Sequence, residues 1–184
     1  VTELPKPTKR GPKPRKPIAR TCRPARVRQS VSLRGGKIAK GKLRELADDF
    51  QSLYVRHRDG WRCRICGSTE WSEMQAAHLF AKGEYHAGRY ITSGVNGGNL
   101  WCLCFRCHKR YTHQPTEWAI LLIQRLGEKG FAELRARCQV RQGGHDYALQ
   151  AMYYRQLLGK DPDGWKIKEQ YDKLETRGSK LGVW

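Results

Sequence analysis

The sequence predicts an α+β fold, a small irregular core carrying the functional site with helices on both sides. Three observations predict it. Between Lys42 and Arg58, the residues Leu43, Leu46, Ala47, Phe50, Leu53 and Tyr54 recur at helical spacing on one face. Residues 61–114 are rich in Gly, Cys and His and leave room only for short elements. The last third returns to long apolar runs at helical spacing.

Taken in order, the first helix ends at Asp59-Gly60. Short strands are expected near Gln75–Phe80 and Asn99–Leu103, with a helix opening near Phe105. Gly83, Gly88, Gly94, Gly97 and Gly98 mark a long loop between the strands. Thr116-Glu117 after Pro115 starts a helix containing Trp118, Ile120, Leu121, Leu122, Ile123 and Leu126, and Gly127 stops it. Phe131, Leu134 and Cys138 suggest a short helix. Asp146 caps another, which carries Tyr147, Leu149, Ala151, Met152, Tyr154, Leu157 and Leu158. A last amphipathic piece is expected from about Trp165 to Leu174. The Trp, Tyr and Leu side chains of these helices are expected in the core.

The 184 residues include 36 Lys and Arg against 17 Asp and Glu, a net charge of +19. Residues 1–40 alone hold 13 Lys and Arg, one acid (Glu3) and six of the eight prolines, with no Phe, Trp or Tyr. Such a segment cannot bury enough apolar surface to offset its chain entropy and is expected to be disordered when free. Its alternating prolines and cations, as in Lys13-Pro14-Arg15-Lys16-Pro17, favour extended chain. The expected organisation is a basic tail (1–40), a helix plus Cys/His core (41–114) and a helical C-terminal region (115–184). The charge calls for a polyanionic partner, nucleic acid before an anionic membrane. No run of about 18 apolar residues could span a bilayer. No apolar segment resembles a secretory signal, and no repeat of 20–50 residues is visible, so a cytoplasmic, non-solenoid protein is expected.

Seven cysteines, an odd number with five in two tight clusters, argue for metal ligation in a reducing compartment over disulfides. Cys63-Arg64-Ile65-Cys66 and Cys104-Phe105-Arg106-Cys107 each have the spacing of a zinc knuckle. Together they supply the four soft ligands of a structural, tetrahedral zinc site. Cys102 is a fifth candidate, but only Cys104 pairs with Cys107 at knuckle spacing. Cys22 and Cys138 read as bystanders.

Between the pairs stand Ala77-His78-Leu79 and the string Asn99-Leu100-Trp101-Cys102-Leu103-Cys104-Phe105-Arg106-Cys107-His108. These residues resemble the HNH, or ββα-metal, nuclease motif, in which a His ends one strand, an Asn lies near the second and a His opens the helix. Over about residues 42–158 the chain is similar to the phage NinG (Rap) recombination endonuclease family. That resemblance implies a metal-dependent endonuclease acting on duplex or branched DNA, in a bacterial host cytoplasm if the chain is phage-encoded. It implies that His78 is the general base, that Asn99 orients it and that His108 binds a catalytic divalent ion, Mg2+ or Mn2+. Two departures stand out: many HNH enzymes have Asp or His where this chain has Ala77, and many NinG-type proteins have Asn where it has His108.

The second ligand to the catalytic ion would then be His113 first, with His86, Glu84, water and DNA as alternatives. Arg89, in the loop between the strands, is either a bidentate phosphate clamp or a solvated loop residue. Arg106, Lys109 and Arg110, with Lys82, are candidates for a groove that holds the DNA backbone without reading bases. His57 and His145 are expected at the surface. A homodimer is left open. The rival functions are a non-catalytic, zinc-stapled DNA-binding or assembly protein, and an HNH nuclease of genome packaging or of a mobile element.

Overall fold

The computed structural model describes residues 40–81, 86–140, 144–159 and 165–184. The expectations for the basic tail, Cys22, Lys82 and Glu84, and for the side chain of His86, lie outside the described residues.

The architecture is α+β: helix α1 (Lys40–Arg58), strand β1 (Met74–His78), strand β2 (Leu100–Cys104), then helices α2 (Phe105–His113), α3 (Pro115–Gln139), α4 (Tyr147–Leu158) and α5 (Trp165–Lys180). The strands pair antiparallel, from Met74 opposite Cys104 to His78 opposite Leu100. They start one residue away from their expected positions. Among the described residues no helix is long and apolar enough to cross a membrane.

Helix α1 buries Leu46, Ala47, Phe50, Gln51, Leu53 and Val55, and its last turn carries Arg56 and Arg58, cations that suit the negative end of the helix dipole. Its end is fixed by a partly buried ion pair. Arg58 holds both carboxylate oxygens of Asp59 (2.9 and 3.0 Å) and donates to the carbonyls of Thr92, Gly97 and Leu100 at 2.7–2.9 Å. Asp59 in turn accepts from the backbone N–H of Cys102 (2.8 Å). One Arg–Asp dipeptide thus ties α1 to β2 and to the loop before it.

Pro115 opens α3, and Gly127, with φ 73°, interrupts it where the sequence predicts a stop. The segment of Phe131, Leu134 and Cys138 continues beyond the break as the second half of the same element. Asp146 caps α4 by accepting from the N–H of Leu149 (3.1 Å). Helix α5 runs to Lys180, six residues beyond its expected end. Its extension carries little apolar periodicity and is held by tertiary contacts. Arg177 reaches Glu45 and Asp49 on α1 (2.8 and 2.7 Å), and Gly178 lies under the Trp184 ring, where any Cβ would collide at 1.8 Å.

Two apolar cores result. One joins the Cys/His module to α3 through Met74, Ala77, Leu79, Trp101, Leu122 and Leu134. The other joins α1, α4 and α5 through Leu46, Phe50, Leu53, Ala151, Tyr154, Ile167 and Tyr171. Trp61 packs against both. The expectation that the helical Trp, Tyr and Leu side chains lie in the core is corrected at Leu149, Tyr153 and Leu157, which are exposed; Ile120, Ile123 and Met152 are exposed as well. Helix α4 buries only the narrow stripe of Ala151, Tyr154 and Leu158, at spacings of three and four.

Candidate metal centre and histidine site

The thiols of Cys63, Cys66, Cys104 and Cys107 all lie within 4.8 Å of one another, and can hold a metal ion such as zinc. A tetrahedral zinc with Zn–S bonds of about 2.3 Å separates its sulfurs by about 3.8 Å; Cys66 Sγ and Cys104 Sγ are 3.7 Å apart. The local sequence builds both knuckles. Gly67 takes φ 77°, which lets its N–H reach back to the Cys63 carbonyl (2.9 Å), and Cys63 N–H bonds the Ser68 carbonyl (2.8 Å). On the other side, Cys104 leaves β2 as the N-cap of α2, and its sulfur accepts from the N–H of Cys107 (3.5 Å). Arg64 N–H bonds the Cys102 carbonyl (2.9 Å) and joins the first knuckle to β2.

The thiols are tuned unequally. Burial pushes Cys63 up, but N–H groups of Cys104, Cys66 and Ile65 outweigh it and bring the thiol down to about 7. Burial raises Cys104 and Cys107. Cys102 lies outside the four-thiol group, and its thiol is pushed up to about 12 by burial and the neighbouring Asp59 carboxylate. Cys138 is buried against α3's core and also outside the group.

His78 ends β1. Its Nε2 lies 3.1 Å from the backbone carbonyl of Arg89. A carbonyl only accepts, so Nε2 carries a proton, and in the neutral form of the ring the basic lone pair sits on Nδ1. The same carbonyl accepts from Gln51 Nε2 (2.7 Å), a fully buried amide on α1 that also contacts the Tyr154 hydroxyl (3.2 Å). Tyr154 completes the support by donating to the Tyr90 carbonyl (2.9 Å).

Asn99 holds the other side of this loop. Its Oδ1 accepts from Phe80 N–H (2.8 Å), and its Nδ2 donates to the carbonyls of Phe80 (3.1 Å) and Gly88 (2.9 Å). It therefore fixes the chain two residues after His78 and one residue before Arg89. Gly88 permits this approach, since a Cβ there would lie 2.7 Å from Asn99 Nδ2 and 2.8 Å from Cys138 Sγ. Asn99→Ala would remove three hydrogen bonds to the buried backbone of Phe80 and Gly88, and a buried polar group left unsatisfied costs about 1–3 kcal/mol. We expect a loss of a few kcal/mol in urea denaturation of the metal-loaded protein. Gly88→Ala should cost about 1–3 kcal/mol by overpacking. A midpoint unchanged in either variant would contradict the contacts described.

His108, in the first turns of α2, is half-buried, and burial lowers its pKa and favours the neutral ring. Its Nδ1 lies 2.7 Å from Gln75 Oε1. An amide oxygen accepts, so the ring lone pair falls on Nε2, the arrangement of a ligating histidine oriented by a second residue. By strand alternation Gln75 lies on the opposite face of β1 from His78. The structure thus orients both histidines but holds them through partners on different faces. Ala77 is buried in the first core.

Three expectations are corrected. Arg89 is not a phosphate clamp: its guanidinium pairs with both oxygens of Asp48 and is largely buried, and only its carbonyl serves the histidine site. His113 does not join His108, because five residues along a helix turn about 140° and place it on another face, exposed. His145 is half-buried, its ring 5.0 Å from that of Tyr90. Among the described residues, the four thiols are the one group of three or more Cys, His, Asp or Glu side chains close enough to share an ion. Arg106, Lys109 and Arg110 do line one solvent-facing side of α2. Arg110 also pairs with Glu117 (3.1 Å).

Sequence reasoning missed Gln51. Its signal was present, a polar residue four positions after Ala47 on an otherwise apolar helix face. In comparison with known proteins, the chain matches no family model, no curated protein and no solved structure.

Proposed function

We propose that the chain is a zinc-stapled HNH-type endonuclease that hydrolyses DNA phosphodiester bonds. The observation that supports this reading best is the orientation of His78. Its Nε2–H is engaged by a carbonyl that Gln51 and the Asn99-pinned loop hold in place, which directs Nδ1 to act as a proton acceptor. A neutral imidazole with this tautomer suits the removal of a proton from an attacking water near neutral pH. Asn99 acts through loop geometry and does not touch the substrate. His108, with Nε2 as its lone-pair nitrogen, would hold a divalent ion such as Mg2+ or Mn2+. Such an ion, when bound, supplies charge stabilisation at the scissile phosphate and its leaving oxygen. The structural zinc belongs to the four thiols and serves the fold. Arg106, Lys109 and Arg110 would contact the backbone of a duplex or branched DNA without reading sequence.

A non-catalytic DNA-binding role is the second reading. The specific observations behind it are Ala77, which offers no ligand, and the separation of the partners of His78 and His108 onto two faces of β1. Metal-dependent nicking of plasmid DNA separates the two readings.

Either reading gives the basic tail a role. With 13 cations and no aromatic side chain in residues 1–40, it offers no stacking platform for single strands and is suited to tracking phosphates. Each phosphate neutralised on a duplex adds about 0.9 to the slope of log K against log salt. Deletion to 41–184 should flatten that slope by several units while leaving cleavage intact at low salt. Equal slopes for the two proteins would assign the tail to an acidic protein partner instead.

A further inference from the structure

A second basic site lies away from the histidines, where the first knuckle meets the loop before β2. An open cavity of about 340 Å³ is lined by Arg58, Asp59, Arg62, Arg64, Asn96 and Gly97. Its one acid, Asp59, is neutralised by the bidentate Arg58 pair and by Cys102 N–H. The lining thus sets three guanidiniums, of Arg58, Arg62 and Arg64, against this one acid. Arg64 is held rigidly: its guanidinium lies 4.6 Å from the Trp101 ring centroid and donates through Nη1 to the Asn96 carbonyl. That uses one of its five N–H donors. Arg62, on the other side of Cys63, is exposed, and among the described residues its side chain has a long contact to the Gly67 carbonyl (3.4 Å). Arg125, exposed on α3 outside the lining, is near enough for its charge to act on Arg64, and its carbonyl accepts from Asn96 Nδ2 (3.4 Å). Gly97, at φ 89°, lets the loop sit against this group, since its Cβ would meet Arg64 Nη1 at 3.0 Å and Arg58 at 3.1 Å.

We propose that Arg62, Arg64 and Arg125 form a binding subsite for a phosphate of a nucleic-acid backbone. A planar fork held over an aromatic ring loses little freedom on binding and matches a phosphate's paired oxygens. Two exposed cations at the rim of an open cavity suit a ligand that passes across it, as a continuous backbone does. This proposal concerns DNA contact and does not require cleavage.

The test compares duplex DNA binding across a salt series, by the full chain loaded with zinc and without added Mg2+ or Mn2+. Omitting those ions keeps the result independent of any nuclease activity. The double variant Arg62→Gln/Arg125→Gln changes two exposed residues and leaves the Arg64–Trp101 stack intact. Its slope of log K against log salt should fall by about 2, at about 0.9 per phosphate contact. A charge-matched control, Arg44→Gln/Lys180→Gln, alters exposed residues of α1 and α5 and should leave the slope close to wild type. An unchanged slope in the first double variant, or an equal fall in both, would overturn the proposal. So would thermal protection by inorganic phosphate that depends on Arg62 and Arg125 while the DNA slope stays unchanged, since that result assigns the cavity to a free phosphate.

Discussion

Cys104→Ala should strip the metal and unfold the segment from Cys63 to His113. The reason is how little regular structure the segment has of its own. Between α1 and β1 the chain has only the knuckle turn and a single 3-10 turn, and the sheet consists of two five-residue strands. A two-stranded hairpin is marginally stable in water, so this module depends on what staples it. Four thiolates closing on one ion connect Cys63 and Cys66 to Cys104 and Cys107, nearly 40 residues away. In peptide systems the free energy of zinc binding becomes folding free energy, on the order of 10 kcal/mol or more. Cys104 has a second duty as the N-cap of α2. Cys138→Ala is the control: that thiol is equally buried but lies outside the metal group, and its loss should cost only a small cavity. Zinc stoichiometry and circular dichroism of the two variants check this. A folded, zinc-loaded Cys104→Ala protein would contradict it.

His78→Ala should keep the zinc, the fold and DNA affinity while losing cleavage by about 10²–10⁴-fold, the usual contribution of a general base. The side chain closes β1 and makes no contribution to the four-thiol group, so its removal takes away a proton acceptor and not a staple. The lost bond to the Arg89 carbonyl is cushioned, because Gln51 still occupies that carbonyl. Gln51→Leu is the informative companion. It leaves the imidazole present but loosens the carbonyl that sets its tautomer, so cleavage should fall while DNA affinity holds. Gel-shift affinity and cleavage rate, measured side by side on the same preparations, separate the two effects.

Much of this was legible in the residues themselves. The two C-x2-C pairs identify the four thiols, because a knuckle is a local turn whose spacing is set by bond geometry. The choice of Cys104 over Cys102 follows from the same spacing, and the structure agrees. Asn99 was expected to orient His78; its bonds go to Phe80 and Gly88, at the two ends of the loop that carries the Arg89 carbonyl. Apart from His113, which local helix geometry decides, the errors concern partners far away in sequence. Nothing local shows that Arg89 meets Asp48, 41 residues earlier, or that its carbonyl and not its side chain faces His78. The exposed Leu149, Met152 and Leu157 carry an apolar pattern broader than the stripe that α1 and α5 can cover. The length of α5 is set by Arg177 and Gly178 against other elements, which periodicity cannot reveal.

The most direct test of the proposed activity is the nicking of supercoiled plasmid by the full-length, zinc-loaded protein with added Mg2+ or Mn2+. The expected result is conversion to the nicked circle by the wild type, its loss without the added ion, and its loss in His78→Ala at unchanged zinc content and DNA affinity. Equal conversion by both proteins, or none by the wild type with either ion on plasmid or branched substrates, would contradict the assignment of His78 as the base of an endonuclease.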